Sequence, residues 1–327
     1  MSITDSPPEV GSRAVRRRSS DRGMNRVFRW LAVGAGVTIL AALAAVALFL
    51  VGQAWPALTA SPEELAAGAA RFPEGTTLLA FVGPLVFGTL LAAVLALCLA
   101  VPVAIGIALF ISHYAPRRLA QLLGYLVDLL AAIPSVVYGL WGFLVLAPAL
   151  TPFWLWLNEH AGWIPLFGGQ ASSTGRAMAT VAVVLAIMIL PIITAVSREV
   201  FLQTPRLHEE AALALGATRW EVVRTAVLPF GRSGVISASM LGLGRALGET
   251  MAVLMILSPG LTYSLDILAA GQHQTIAAYI AADFPESTGL GINTLIAAGL
   301  ALFVITLAVN MTARWIVARR KEFSGAN

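Results

Sequence analysis

Six long apolar segments constrain this chain more than any other feature of its sequence. A helix needs about 20 apolar residues to cross the hydrocarbon core of a bilayer, and each segment reaches about that length. The segments are Trp30–Val51, Phe81–Ile111, Leu122–Leu150, Met178–Val196, Val235–Leu257 and Ile292–Val317. Charged residues make up only 12% of the chain, whereas a soluble domain carries roughly 25%. We therefore predict an all-α membrane protein with six transmembrane helices.

The remaining segments define the predicted organisation of the chain. Residues 1–29 are polar and rich in Ser, Pro and Arg, a composition typical of disorder, and are predicted to form a cytoplasmic tail. The first apolar segment is longer than the 7–15 residues of a signal-peptide core, so it is interpreted as an uncleaved span. The predicted divisions are 1–29 for the tail, 30–77 for the first helix with its outer loop, 78–320 for the transmembrane domain and 321–327 for the C-terminal end.

The distribution of Lys and Arg predicts the orientation in the membrane. With the N-terminus in the cytoplasm, 18 of the 21 Lys and Arg residues lie on the cytoplasmic side, and two, Arg71 and Arg176, lie outside. Cytoplasmic loops carry an excess of Lys and Arg, and an even number of spans returns the chain to the side where it began. Both termini are therefore predicted to be cytoplasmic.

The same residue counts exclude several kinds of site. The only lysine, Lys321, is followed by Glu322, so the chain lacks the phosphate-binding loop G-x-x-x-x-G-K-[ST]. The single cysteine, Cys98, excludes an intramolecular disulfide, and the four His residues show no metal-ligand spacing. We predict no cofactor and no nucleic-acid partner for this chain; any ATP and Mg²⁺ would be bound by another polypeptide.

The longest predicted cytoplasmic segment, between the fourth and fifth helices, contains two short helix signals. Residues 209–215 favour a helix that Gly216 ends. Thr218 and Glu221 have the spacing of a capping box at the start of a second helix. Trp220, Val223 and Val227 are then predicted to share one face of that helix. The segment is interpreted as two short helices joined at a glycine.

This segment resembles the EAA loop of ABC-importer permeases. The resemblance rests on Glu210-Ala211-Ala212, on Gly216 after three intervening residues, and on Leu228-Pro229. Ala226 departs from it, since the family usually has Ile at that position. The resemblance implies a type I ABC importer permease-like fold with a coupling loop at 205–229. It also implies that Glu210, Ala211, Ala212 and Gly216 dock onto a separate cytoplasmic ATPase.

Arg245 and Glu249 lie inside the fifth predicted helix. Arg245 follows Val235 by ten residues, about 15 Å along a helix and near the middle of a core of roughly 30 Å. A charge there costs around 3 kcal/mol, and Glu249 is one turn further on the same face. This face is therefore expected to look onto protein or water. One interpretation is a salt bridge to a neighbouring helix, for example to Asp128; the other is a site where the guanidinium binds a phosphate-like oxyanion.

Three further polar residues are weaker candidates for the substrate pathway. Asp128 is placed near the cytoplasmic end of the third predicted helix, and Ser135 and Tyr138 stand beside Pro134. Each is also explained by helix packing or interhelical hydrogen bonding. Gly244 and Gly248 form a small-xxx-small pattern, which is interpreted as helix packing.

Two stretches resemble the permease subunits of phosphate ABC importers. They are Gly242–Val253, which reads G-L-G-R-A-L-G-E-T-M-A-V, and Ala131–Gly142, which reads A-A-I-P-S-V-V-Y-G-L-W-G. The ending of the first is more similar to PstC-type subunits than to PstA-type ones. The resemblance implies a bacterial cytoplasmic membrane, a PstA-like second permease, a PstB-like ATPase dimer and an extracytoplasmic PstS-like phosphate-binding protein.

The expected function is thus inward transport of inorganic phosphate by a subunit that catalyses no bond change. A permease for another oxyanion, such as sulfate or molybdate, would use Arg245 equally well. An ion-coupled secondary transporter would leave the segment around Glu210 without a purpose. A membrane scaffold or sensor would leave Arg245 and Glu249 unexplained.

Overall fold

The computed structural model describes residues 20–68 and 72–321, which are helical apart from loops and one isolated backbone pair, Ala171 with Ala269. The first helices are α1 (Ser20–Thr59), α2 (Pro62–Gly68), α3 (Leu78–Leu109), α4 (Arg117–Ala131), α5 (Ser135–Trp141) and α6 (Ala147–Ala161). The others are α7 (Met178–Leu202), α8 (Arg206–Ala214), α9 (Arg219–Val222), α10 (Leu228–Leu247), α11 (Met251–Ile256), α12 (Ile276–Asp283) and α13 (Leu290–Lys321). Wider π-helical turns extend α3 to Tyr114, join α5 to α6 and join α9 to α10.

Six helical stretches of the described chain are long and apolar enough to cross a membrane, which confirms the predicted number of spans. They are Arg26–Thr59, Leu78–Tyr114, Ser135–Ala161, Met178–Leu202, Arg219–Leu247 and Leu290–Trp315. The chain is therefore an all-α, multi-pass membrane protein.

The predicted N-terminal tail is only partly described. Residues 20–29 belong to α1, so the prediction of disorder is wrong for them; Ser20 and Asp21 are residue types favoured where helices start. Residues 1–19 of the tail and 322–327 of the C-terminal end lie outside the described residues. The part of α1 up to Phe49 forms a unit of its own, and residues from Leu50 onward form the second unit.

The third predicted span is wrong in its position. In place of one helix from Leu122 to Leu150, the chain forms α4, a break at residues 132–134, and a separate span from Ser135 to Ala161. Pro134 has no N–H to continue a helix and disfavours helical geometry in the residue before it. The Tyr138 hydroxyl donates to the Leu130 carbonyl at 3.1 Å across the break, so a backbone acceptor freed there is satisfied.

The fifth predicted span also differs, because it is not one continuous helix. The helix ends at Leu247, and α11 begins at Met251 after a break at residues 248–250. Gly248 lacks a Cβ and follows the last turn, as glycines often do at helix ends. Arg245 therefore lies in the last turn of α10 rather than in the middle of an uninterrupted helix.

Alanines at four-residue spacing line the buried side of α3. Ala92, Ala96, Ala100, Ala104 and Ala108 are almost inaccessible. Residues four apart share one helix face, and small side chains let helix backbones approach closely where lipid supplies no hydrophobic driving force. α3 packs chiefly on α7, and α7 also packs on α10. These three helices form the centre of the transmembrane domain.

A smaller buried cluster attaches the segment between α7 and α10 to the spans. Val223 and Val227 pack with Phe201 of α7 and Leu109 of α3. Trp220, which was predicted to share their face, is 57% exposed, and that prediction is wrong. The π-helical turn at Val223–Val227 changes the angular spacing of side chains along the helix. Helix faces assigned with 3.6 residues per turn are therefore wrong there.

A close approach between α5 and α11 provides a test of this packing. A Cβ at Gly139 would lie 2.8 Å from Cα of Ala252 and 3.1 Å from Sδ of Met255. We expect Gly139→Ala to lower the free energy of unfolding by about 1–3 kcal/mol, because overpacking forces the backbones apart. The measurement is thermal unfolding of the purified protein in detergent.

Gly106→Ala is the matched control, because a Cβ there meets nothing within 4 Å. It should leave stability unchanged or raise it by up to about 1 kcal/mol. Equal melting temperatures for the two variants would contradict the close approach at Gly139.

Candidate substrate site and coupling segment

The break between α10 and α11 brings two charged residues to the centre of the candidate site. Arg245 is half-buried in the last turn of α10, and Glu249 is 8% exposed within the break. They were predicted to share one helix face, but the break at Gly248 separates them. No ion pair of Arg245 occurs within the described ranges, so the predicted lock to Asp128 is absent there.

Glu249 has a structural partner at the start of α11. Its Oε1 accepts a hydrogen bond from the backbone N of Ala252 at 3.3 Å, and a carboxylate is favoured at the positive end of a helix. The Thr250 hydroxyl donates to the Gly248 carbonyl at 3.2 Å. The interrupted backbone thus satisfies part of its own hydrogen-bonding capacity with Glu249 and Thr250.

The guanidinium of Arg245 is not satisfied in the same way. Its Nε is buried and has no hydrogen-bond partner in the described part of the chain. Tyr138 is near enough for a direct electrostatic interaction with Arg245. A buried donor without an acceptor is costly, so Arg245 is suited to an acceptor that the described residues do not supply.

Arg245 lies on a face of the broken helix that we call the open face, defined by Leu241, Gly244, Arg245, Gly248 and Met251. Leu241 is 57% exposed, and a Cβ at Gly244 would meet nothing within 4 Å. The interpretation of Gly244 and Gly248 as packing positions is therefore wrong within this chain. The open face leaves room for a ligand or a second subunit next to the guanidinium.

The weaker candidates separate into two groups. Tyr138 lies near Arg245, and Ser135, three residues earlier, begins the same short helix. The bond from Tyr138 to the Leu130 carbonyl agrees with the packing explanation. Asp128 lies on α4, outside the six spans, in a cleft whose walls do not include Arg245.

The segment predicted to couple to an ATPase has the expected local structure. α8 ends before Gly216, which has a φ of 85°, a left-handed conformation that costs other residues about 1–2 kcal/mol. Thr218 and Glu221 form the predicted capping box. His113 lies 3.7 Å from Glu209 and connects α8 to the end of the second span.

The residues predicted to dock onto an ATPase lie on this short helix and its end. Glu210, Ala211 and Gly216 are exposed, and Ala212 is half-buried. No residue of α8 is fully buried, and Leu207 and Leu215 are 76% and 89% exposed. This helix thus projects from the spans with an apolar surface available to a partner.

Arg176 is a site residue that the sequence analysis did not select. Its Nε and Nη2 donate to the carbonyls of Ile256 and Leu257 at 3.3 and 3.4 Å, and its guanidinium stands 5.4 Å from the Phe143 ring centre. It therefore satisfies carbonyls at the end of α11 opposite Glu249. The only available signal was an arginine just before an apolar segment on the predicted outer side.

Two loops outside the spans, one before α7 and one after α11, are joined by backbone hydrogen bonds near Arg176, and we call them the loop unit. The backbone N of Ser172 donates to Leu268 O at 2.8 Å, and that of Ile267 donates to Leu166 O at 3.1 Å. A polar cleft of about 340 Å³ lies between these loops, beside Asp266. Arg176 connects this loop unit to α11 and hence to the break.

His273 is buried within the same loop unit. Its Nε2 is 2.7 Å from the Ser264 carbonyl, and its ring stacks on Phe87 of α3. Burial lowers the pKa of His273, because an enclosed site disfavours the charged imidazolium; the Ser264 carbonyl and Asp266 act in the opposite direction. With Nε2 donating to the carbonyl, Nδ1 is left buried without a partner in the described part of the chain.

Comparison with known families identifies this architecture. A family model described as "Binding-protein-dependent transport system inner membrane component" matches residues 100–322. The chain belongs to this family of ABC transporter permeases. The matched residues of the permease include α4 to α11 and therefore both the broken helix and the coupling segment.

Relatives of the permease carry a narrower name. It is 50% identical over 307 residues to the phosphate transport system permease protein PstC 2 of Mycobacterium tuberculosis, covering 93% of this chain and 94% of the relative. It is 48% identical over 322 residues to PstC of Mycobacterium leprae, covering 97% and 99%. Against PstC of Haemophilus influenzae the identity is 36% over 248 residues, or 73% and 76% of the two chains.

Solved structures agree on the fold of the permease. A chain of a bacterial ABC transporter involved in alginate import matches with a TM-score of 0.59 at 17% identity, covering 91% of this chain and 99% of that one. A chain of the inward-facing MetNI methionine transporter matches with a TM-score of 0.53 at 15% identity, covering 72% and 96%. The predicted type I ABC importer permease fold is confirmed.

The buried His273 makes the stability of the permease depend on pH. Its pKa is lower in the folded state than the ordinary value of about 6.5, so the unfolded chain binds the proton more tightly. This contribution favours folding above pH about 6.5 and is lost as the pH falls below it. We expect the melting temperature to decrease between pH about 7.5 and about 5.5.

His273→Gln should make this decrease smaller, because Gln does not titrate and its amide can still donate to Ser264. His208→Gln is the control, since His208 is exposed and its replacement should keep the wild-type pH dependence. Identical pH profiles for wild type and His273→Gln would rule out this role for His273.

Proposed function

We propose that this permease carries inorganic phosphate inward across a bacterial cytoplasmic membrane as one subunit of an ATP-driven importer. The observation that carries the proposal is its 50% identity, over 93% of the chain, to relatives named phosphate transport system permease. The permease catalyses no bond change itself. Its N- and C-termini lie in the cytoplasm, in line with the bias of Lys and Arg.

Arg245 binds the phosphate transiently during transport. Its buried Nε has no partner within the described chain, and it opens onto a face without close packing. A guanidinium presents a planar fork of donors that matches phosphate oxygens. Glu249, close in sequence, favours release because a carboxylate repels an anion, and Tyr138 and Ser135 line the approach from α5.

A second subunit completes the pathway beside the open face. A PstA-like permease there would supply the other half of the substrate site, with a PstS-like binding protein delivering phosphate from outside. A PstB-like ATPase dimer would bind ATP and Mg²⁺, and this chain would need no cofactor of its own. Glu210, Ala211, Ala212 and Gly216 would pass movement from that dimer to α10 through α9.

A permease for another oxyanion is the second candidate, since the guanidinium geometry serves sulfate or molybdate equally well. The names of the relatives favour phosphate. Uptake of labelled phosphate in the presence of excess sulfate or molybdate separates the two functions. If excess unlabelled phosphate inhibits this uptake and sulfate and molybdate do not, the proposal is supported. Equal inhibition by unlabelled phosphate and by sulfate would overturn it.

Arg245→Gln tests the substrate site. We expect phosphate uptake to fall by about 10- to 100-fold, because a hydrogen bond to a charged group contributes about 1.5–3 kcal/mol. Arg245→Lys should recover only part of the activity, since an ammonium lacks the planar fork. The measurement is initial uptake in cells that lack other phosphate permeases, with membrane assembly checked by co-purification of the ATPase.

Arg232→Gln is the matched control for this experiment. Arg232 is exposed on the same helix, α10, far from its last turn, and its replacement should leave uptake near the wild-type value. Normal uptake by a fully assembled Arg245→Gln importer would show that Arg245 does not handle substrate.

Gly216→Ala tests the coupling segment. The left-handed backbone at Gly216 penalises Ala by about 1–2 kcal/mol, so α8 should lose its orientation. We expect weaker co-purification of the ATPase and slower uptake, with normal insertion of the permease. Gly216→Asn is the control, because Asn tolerates this conformation better; equal defects in both variants would indicate that size, rather than backbone geometry, matters there.

A further inference from the structure

A cleft between α4 and the end of α7 has no role in the function proposed above. Its volume is about 420 Å³, within the range of small-ligand sites, roughly 300–1,000 Å³. Its polar lining comes chiefly from Arg117, Gln121, Tyr125 and Asp128 on α4 and from Arg198 on α7. Arg245 is not part of it.

Arg198 is the charged residue that α7 contributes to this cleft. Its side chain is 19% exposed, its Nη2 donates to Glu199 at 3.0 Å, and its Nε is buried without a partner in the described part of the chain. The guanidinium rests on Gly124, where an added Cβ would collide with Nη1. Gly124 therefore makes the space that the guanidinium occupies, and the part of Arg198 that lines the cleft can donate to an anion there.

The charges of the lining suit an anion with a single negative charge. Among the lining residues, Arg117 and Arg198 outnumber the one carboxylate, Asp128. Glu199, which pairs with Arg198, lies outside the lining and is 59% exposed, so solvent screens its charge. Gln121 lies between Arg117 and Gly124 in the sequence of α4 and adds amide donors to the same wall. Arginine and amide donors together match the oxygens of a phosphate group.

The other side of α4 indicates the depth of this cleft in the membrane. Leu119, Leu122, Leu126 and Leu129 are exposed at helical spacing, and the helix begins with Arg117 and Arg118. An amphipathic helix with a basic end is typical of the membrane interface, the level at which lipid phosphates lie. The assignment of the cleft to the cytoplasmic leaflet rests on the orientation given in the proposed function. The binding chemistry of the cleft is independent of that orientation.

We propose that this cleft binds a singly charged phosphate group, from either the headgroup of an anionic phospholipid or free inorganic phosphate. Basic pockets between transmembrane helices on the cytoplasmic side commonly hold anionic headgroups. Arg198 contacts the phosphate oxygens from α7, and Arg117 contacts them from α4.

The test is ligand-dependent thermal stabilisation of the assembled importer in detergent. Phosphatidylglycerol should raise the melting temperature by about 2–4 °C, whereas phosphatidylcholine should not. Arg198→Gln should abolish the shift, and Arg117→Gln should reduce it. Arg118→Gln is the matched control, because Arg118 neighbours Arg117 but is not part of the lining, and it should keep the full shift. If Arg198→Gln fails to assemble, Arg117→Gln carries the test.

A parallel arm with inorganic phosphate identifies the source of the group. A shift with inorganic phosphate alone, lost in Arg198→Gln but kept in Arg245→Gln, supports the cleft and assigns it to free phosphate. A shift lost in Arg245→Gln and kept in Arg198→Gln belongs to the transport site and overturns the cleft, as does any lipid shift that Arg198→Gln and Arg117→Gln both leave intact. Loss of uptake in Arg245→Gln tests the proposed function independently of these outcomes.

Discussion

A backbone N–H or C=O group that faces hydrocarbon without a partner costs several kcal/mol, so a helix can be interrupted inside a membrane only where other groups receive the freed atoms. The permease satisfies this requirement at both ends of α11. Glu249 accepts from the Ala252 backbone at one end, and Arg176 donates to the Ile256 and Leu257 carbonyls at the other. Arg245 lies in the last turn of α10 because of this break, since an unbroken helix would leave it in mid-helix.

The charged residues of the permease are thus of two kinds. Glu249 and Arg176 bind backbone groups of this chain and hold its irregular segments in place. Arg245 and Arg198 each retain a buried donor without a partner in the described residues, although a free donor is unfavourable in such surroundings. The unsatisfied guanidinium groups, rather than all intramembrane charges, are therefore the places where an external anion is expected to bind.

Close packing of small residues holds together the helices that carry both kinds of charged residue. The alanine stripe on α3 lets it lie against α7, and Gly139 lets α5 lie against α11. In a bilayer, lipid tails are as apolar as the side chains they replace, so van der Waals contact between closely approaching backbones is a main source of helix association. Gly244 is equally small but faces open space. A small residue in the sequence therefore indicates that a close helix contact is possible, but it does not identify the helix that makes the contact.

The sequence by itself determined the membrane class, six spans, the two helices around Gly216 and the capping box at Thr218, since these follow from local length, hydropathy and hydrogen bonding. It also indicated Arg245 through the cost of burying a charge. Only the tertiary structure decided that α4 and Ser135–Ala161 are separate, that Gly248 breaks the fifth helix, and that Arg176 and Arg198 take part. Apolar periodicity is the same on both sides of a break, and a contact such as that of Arg176 with Ile256 joins residues far apart in the chain. Which freed backbone groups find partners therefore depends on how the helices pack.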